Sequence, residues 1–109
     1  MKTRLSRQTW TWLIAGLLCS IAQAWTAEPG AAAFTRNCAQ CHGNSPEAVG
    51  TQQLGRTRGK DKALLVGRKD LPKEYVRAVV RNGLKAMPSF TPAALTDAEL
   101  ADIAAYVTR

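Results

Sequence analysis

Two thiols three residues apart, followed at once by an imidazole, stand in the run Cys38-Ala39-Gln40-Cys41-His42. On one helical turn the two sulfurs can add to the two vinyl groups of a haem, and the next side chain then lies under the iron as proximal ligand. The same residue types also occur in thioredoxin-like redox pairs, zinc sites and plain disulfides. A redox pair belongs beside alternating strand-like and helical runs, and this chain has no such alternation. A closed zinc site takes four Cys or His ligands, yet beyond residue 24 the chain offers only Cys38, Cys41 and His42. The pattern points to one covalently bound haem c, held by Cys38 and Cys41, with His42 on its iron.

Past the same residue, Met87 is the sole methionine and His42 the sole histidine. Pro88 follows Met87 and cannot donate a backbone hydrogen bond, which suits an extended loop presenting a thioether sulfur. A lone methionine also serves to fill a core gap, but with the upstream motif present Met87 is expected as the second axial ligand. A thioether is soft and favours ferrous iron, so a His/Met pair raises the reduction potential. With both axial positions filled, neither oxygen nor peroxide has a place to bind, and the site is built to pass single electrons. A labile Met87 would instead suit a haem enzyme or a gas or redox sensor. No general base or nucleophile stands out beyond the haem ligands, so the chain is expected to be an electron carrier and not an enzyme.

The segment before the motif reads as an address. Lys2, Arg4 and Arg7 precede an apolar run from Trp12 to Ala22, and Ala22-Gln23-Ala24 has the small-x-small form a signal peptidase cuts after. Residues 1–24 are therefore expected to be a cleaved signal and residues 25–109 the mature domain, in the periplasm. An uncleaved anchor is the other reading, although a membrane span needs about 20 apolar residues. Leu17 and Leu18 stand before Cys19 where a lipoprotein signal wants small residues, so Cys19 leaves with the signal. Removing the leader lowers the formal charge from +7 to +4, so much of the basicity is targeting. With no aromatic-interleaved basic stripe and no recognition motif, nucleic-acid binding is not expected. About 85 residues is near the size where a polypeptide core alone is marginal, and a buried haem would enlarge it.

Three helices must position these groups. The first is expected from about Gly30 through Cys38, where Ala31, Ala32, Ala33 and Phe34 favour helix and Gly30 leaves room for close approach. The second runs from Leu71 or Pro72 to Asn82, with Tyr75, Val76, Val79 and Val80 as one apolar stripe and Gly83 as its end. The third begins at Thr96, which forms a capping box with Glu99, while Leu95 and Leu100 sit where a hydrophobic staple closes. Leu100, Ile103, Ala104 and Val107 make its buried face. Gly43 to Asp70 reads as an irregular loop wrapping the cofactor, in which Ala63-Leu64-Leu65-Val66 is either a short helical turn on the haem or a surface turn with one buried Leu.

Gly30, Phe34, Cys38, Cys41, His42, Met87, Pro88 and the helix from Thr96 to Val107 stand in the order found in class I c-type cytochromes, which the chain resembles over nearly all of residues 25–109. That resemblance implies a small all-α single-haem fold in which the N- and C-terminal helices cross. More narrowly, Gly67-Arg68, Leu71-Pro72, Tyr75, Val80-Arg81-Asn82-Gly83, Ala86-Met87-Pro88 and Phe90 resemble the cytochrome subunits of the p-cresol methylhydroxylase type. This implies a periplasmic flavoprotein dehydrogenase, oxidising 4-alkylphenols or related alcohols, as electron donor, and a downstream cytochrome or copper protein as acceptor.

Two departures stand out. Thr51 and Gln52 follow Gly50 where the family has a proline whose carbonyl orients the proximal histidine, so either a different carbonyl serves or Thr51 replaces the proline in place but not in rigidity, and the stretch from Arg56 to Val66 looks like extra length. Arg68 is a candidate for pairing with a haem propionate, or a solvated arginine. Tyr75 is a candidate for a hydrogen bond to a propionate or to the Met87 sulfur, or a core residue. Arg56, Arg58, Lys60 and Lys62 are either a solvated face or a steering patch for a partner.

Overall fold

The computed structural model describes residues 27–109, and the expected signal segment 1–24 lies outside the described residues. Five helices follow in order: α1 (Ala31–Asn37), α2 (Ala39–His42), α3 (Val49–Arg58), α4 (Lys73–Asn82) and α5 (Asp97–Val107). A 3₁₀ turn at Lys60–Lys62 follows α3. Among the described residues there is no strand, only an isolated antiparallel bridge between Leu84 and Met87. The fold is all-α, as the sequence pattern required.

Its core forms where α1 meets α5. Phe34 from α1, Val80 from α4, and Leu95, Leu100, Ile103 and Val107 around α5 make one buried cluster. Gly30 is the reason the helices come so close: a Cβ there would stand 2.2 Å from the Asp102 carbonyl oxygen and 2.9 Å from Tyr106 Cβ. Its φ of +86° is a further reason for glycine. One turn on, Phe34 packs across the crossing onto Tyr106, with ring centroids 5.6 Å apart and a tilt of 53°. Arg36 and Glu99 pair at 3.0 Å across the same helices, but both side chains are exposed, so water and salt screen the pair.

The start of α5 follows its local code. Thr96 Oγ1 accepts from the Glu99 N–H at 3.2 Å, and the Thr96 N–H donates to Glu99 Oε2 at 3.1 Å. Leu95 and Leu100, 1% and 3% exposed, close the staple over this box. At the other end the Val107 carbonyl, which α5 cannot satisfy itself, accepts from the N–H groups of Gly67 and Arg68, each at 3.0 Å. The long connection between α2 and α4 is thereby tied to the last turn of α5.

One sequence expectation is corrected and one pair of alternatives is decided. Gly43 to Asp70 is not a wholly irregular loop, because Val49–Arg58 is helical. That helix carries no buried side chain, and Gly50 and Gly55 lower its propensity, so no apolar stripe announces it. Local polar bonds hold it: Thr57 Oγ1 donates to the Gln53 carbonyl at 2.8 Å and Arg56 reaches Gln52 Oε1 at 3.3 Å. Residues 63–66 form no helical turn; Leu65 and Val66 pack on the core while Leu64 stays exposed. On α4 the apolar stripe splits into two i, i+4 rows. Val76 and Val80 meet the core, whereas Tyr75 is 48% exposed.

Candidate functional site

The Cys38–His42 run is helical because α1 scarcely stops before it. Cys38 leaves helical geometry at φ −122°, but its N–H still donates to the Phe34 carbonyl at 2.8 Å. Its own carbonyl then accepts from Cys41 at 3.1 Å and His42 at 2.8 Å, starting α2. The motif is thus a continuation of the helix that Gly30 and Phe34 anchor on α5. Cys38 is half-buried against the core and Cys41 is exposed, and the two sulfurs are not bonded to each other. Burial, with the neighbouring Cys41 adding to it, pushes the Cys38 thiol up to about 11. Burial holds the His42 imidazole below its usual value, so it is neutral at pH 7 and offers a nitrogen lone pair to a metal.

The imidazole is fitted against backbone. A Cβ on Gly50, in the first turn of α3, would lie 2.7 Å from His42 Cε1 and 2.9 Å from Nδ1. Nδ1 is buried with no hydrogen-bond partner among the described residues. Thr51, where the resembling family has proline, instead donates its hydroxyl to the Gly43 carbonyl at 2.8 Å.

Met87 is presented by a tight turn. Leu84 and Met87 exchange backbone hydrogen bonds at 3.1 and 3.0 Å, with Lys85 at φ +55° between them. Gly83, at φ +73°, both ends α4 and admits the turn, since a Cβ there would lie 2.9 Å from the Met87 carbonyl oxygen. The following segment is pinned to α4: the Phe90 N–H donates to the Val80 carbonyl at 2.8 Å and Arg81 Nη1 to the Phe90 carbonyl at 2.9 Å. Arg81 Nη2 also reaches Asp97 at 2.5 Å, at the start of α5. Met87 is half-buried and packs, like Cys38 and Ala39, against the one core cluster.

Arg68 and Tyr75 are placed differently. The Arg68 guanidinium forks onto Asp70 at 2.5 and 2.7 Å and donates a third bond to the Lys62 carbonyl at 2.9 Å. That hydrogen bond from Arg68 holds the Asp70 carboxyl down at about 2. Sequence reading missed both partners: the opposite charge of Asp70 two residues along was the one available signal, and the Lys62 carbonyl carries none. Tyr75 stands half-exposed on the first turn of α4. Arg56, Arg58, Lys60 and Lys62 are all exposed, at the end of α3 and in the 3₁₀ turn.

The donor set of two thiols, a neutral imidazole and a thioether fits a haem. Val49, Leu64, Tyr75 and Leu84 provide large exposed apolar surface, from α3, the long connection, α4 and the Met87 turn. Among the described residues no group of three or more His, Cys, Asp or Glu side chains converges on a metal-ion site.

The chain is similar to known proteins over most of its described length. The family described as cytochrome c oxidase, cbb3-type, subunit III matches residues 26–107. A cytochrome c6 of Picosynechococcus sp. is 39% identical over 84 residues, 74% of this chain and 70% of that protein. The cytochrome c subunit of the hydroxylating 4-cresol dehydrogenase of Pseudomonas putida is 32% identical over 98 residues, 85% of this chain and 73% of that one. The crystal structure of p-cresol methylhydroxylase superimposes with a TM-score of 0.52 at 32% identity, covering 72% of this chain and 89% of that one.

Proposed function

Because this chain belongs to the cytochrome c family of electron-transfer proteins, we propose that it carries one covalent haem c and receives electrons from a periplasmic flavoprotein dehydrogenase. The observation that carries the reading is the Cys38–His42 run on α2, a helix that shares its core with the Met87 turn. Cys38 and Cys41 would hold the haem by thioether bonds, and His42 and Met87 would occupy the two axial positions. The bound haem supplies a centre that gains and loses one electron at a time.

Each part of the chain contributes to that role. Burial keeps His42 neutral and ready to ligate. Backbone hydrogen bonds between Leu84 and Met87 close the turn that carries the thioether, and as a soft ligand Met87 would raise the potential of a bound haem and would keep small molecules off its iron. Arg68, with unused N–H groups beyond its three bonds, and Tyr75, exposed on α4, remain candidates for contact with haem propionates or the Met87 sulfur. The similarity to a cytochrome c6 and to the cytochrome c subunit of 4-cresol dehydrogenase supports a carrier or a non-catalytic subunit.

The similarity to the 4-cresol dehydrogenase subunit supports a flavoprotein oxidising 4-alkylphenols or related alcohols as donor, with a downstream cytochrome or copper protein as acceptor. Residues 1–24 would be removed on export to the periplasm. No helix among the described residues is long and apolar enough to cross a membrane, and none is needed for this role. The test is to express the full chain in a host that matures c-type cytochromes and recover the periplasmic fraction. The expected product begins near residue 25, has the mass of one haem bound through two thioethers, and is reduced in milliseconds to seconds by the flavoprotein. A haem released by acid–acetone, or turnover of a 4-alkylphenol by the isolated protein, refutes the proposal.

A further inference from the structure

The end of α2 is held by a side chain that the haem ligands do not require. Thr51 Oγ1 donates at 2.8 Å to the carbonyl of Gly43, the residue after His42. Both glycines around that bond are closed to any side chain. A Cβ on Gly43 would meet the Ala39 carbonyl oxygen at 2.5 Å, and one on Gly50 would meet the Cys41 carbonyl oxygen and His42 Cε1, each at 2.7 Å. Bare backbone of α3 therefore lies against the imidazole.

A ligating histidine almost always donates its second ring N–H to an acceptor, which fixes the ring plane. His42 Nδ1 is buried with no acceptor among the described residues, and the Gly50 backbone is what lies against the ring. Such a wall orients a ring only if it is itself held. α3 buries no side chain of its own, and Val49 at its start is 64% exposed. Gln52 ties α3 to the Pro46 carbonyl in the preceding loop, whereas the Thr51 hydroxyl ties it to the end of α2 itself.

We propose that Thr51 is a positioning residue for His42: its hydroxyl latches α3 to α2, so that Gly50 fixes the plane of the imidazole on the iron. The proposal rests on the reading of His42 as an iron ligand. It is tested on the oxidised holoprotein with Thr51→Val, which keeps the shape and removes the hydroxyl, and Thr51→Ser, which keeps the hydroxyl. The hyperfine-shifted haem methyl resonances report the angle of the axial imidazole plane. Thr51→Val should redistribute them and move the reduction potential, and Thr51→Ser should restore both to the parent values. Thr51→Ala, with its higher helix propensity, makes the same comparison if the valine variant does not accumulate. An unchanged methyl pattern and potential in the hydroxyl-free variant overturns the proposal, whatever its melting temperature. Absence of iron-shifted His42 ring resonances in the parent overturns the ligand reading, and the proposal with it. Their presence beside an unchanged pattern overturns the latch alone.

Discussion

Gly30 and Gly67 share a backbone conformation but not a neighbourhood, which separates two costs that a glycine substitution normally mixes. Their φ angles are +86° and +87°. At Gly67 nothing lies within 4 Å of the missing Cβ, whereas at Gly30 that atom would stand 2.2 Å from the Asp102 carbonyl oxygen and 2.9 Å from Tyr106 Cβ. Placing alanine at positive φ costs about 1–2 kcal/mol, and the loss of unfolded-state freedom returns about 0.4–1 kcal/mol. Gly67→Ala should therefore destabilise by about 0–1.6 kcal/mol, the difference of those two terms. Gly30→Ala bears the same difference plus forced separation of α1 from α5, an overpacking cost of about 1–3 kcal/mol. Because the Asp102 carbonyl oxygen is backbone, neither helix can yield by a rotamer change. Guanidinium unfolding of the holoprotein, followed by far-UV circular dichroism at matched m-values, gives both losses. A 1 kcal/mol difference corresponds to about 4–8 °C in Tm for a domain of this size. Equal losses at the two positions, within about 0.5 kcal/mol, would refute the inference that Gly30 marks the closest approach of α1 and α5.

Phe34→Ala, at a side chain 5% exposed, should cost about 3–5 kcal/mol in the same unfolding assay; a loss below ~1 kcal/mol would mean the ring contributes little to the helix crossing. Met87→Ala should leave the haem attached, lower the potential and open the iron to cyanide, and survival of a sulfur-to-iron charge-transfer band would remove Met87 from the ligand set. Asp70 is held at about 2 by Arg68. Because its folded value is depressed, its contribution is present above the ordinary carboxylate range and lost as pH falls from about 4 toward 2. Carbon-13 NMR of the Asp70 carboxyl should show that midpoint, and an unshifted titration in the folded protein would contradict the forked pair. Reversing Arg56, Arg58, Lys60 and Lys62 should slow reduction by the dehydrogenase much more at low salt than at physiological salt, where the Debye length is about 8 Å; no slowing at low ionic strength would make the cluster a solvated face.

What the amino-acid order determined by itself is short-range. Cys38, Cys41 and His42 fall within one helical turn, so their chemistry is legible without any fold, and the capping box of Thr96 and Glu99 with its Leu95 and Leu100 staple is read within six residues. Gly30 left room for a close approach and Phe34 could pack across it, while the crossing of the terminal helices was implied by the resemblance to class I c-type cytochromes. Tertiary structure decided whatever depends on atoms far apart in the chain or on backbone groups that carry no side-chain signature. α3 has no apolar stripe and exists through polar bonds and its contact with α2. Arg68 is engaged by Asp70 and by the Lys62 carbonyl, and Tyr75 is turned out of the core because only one of the two i, i+4 rows of α4 faces inward. The surroundings of His42 are the clearest case. The missing proline after Gly50 was visible in the sequence, but that Nδ1 would be buried without a partner and that Thr51 would reach the Gly43 carbonyl were not. A hydroxyl can bond to any carbonyl within reach, and only the packing of α3 on α2 selects which one it meets.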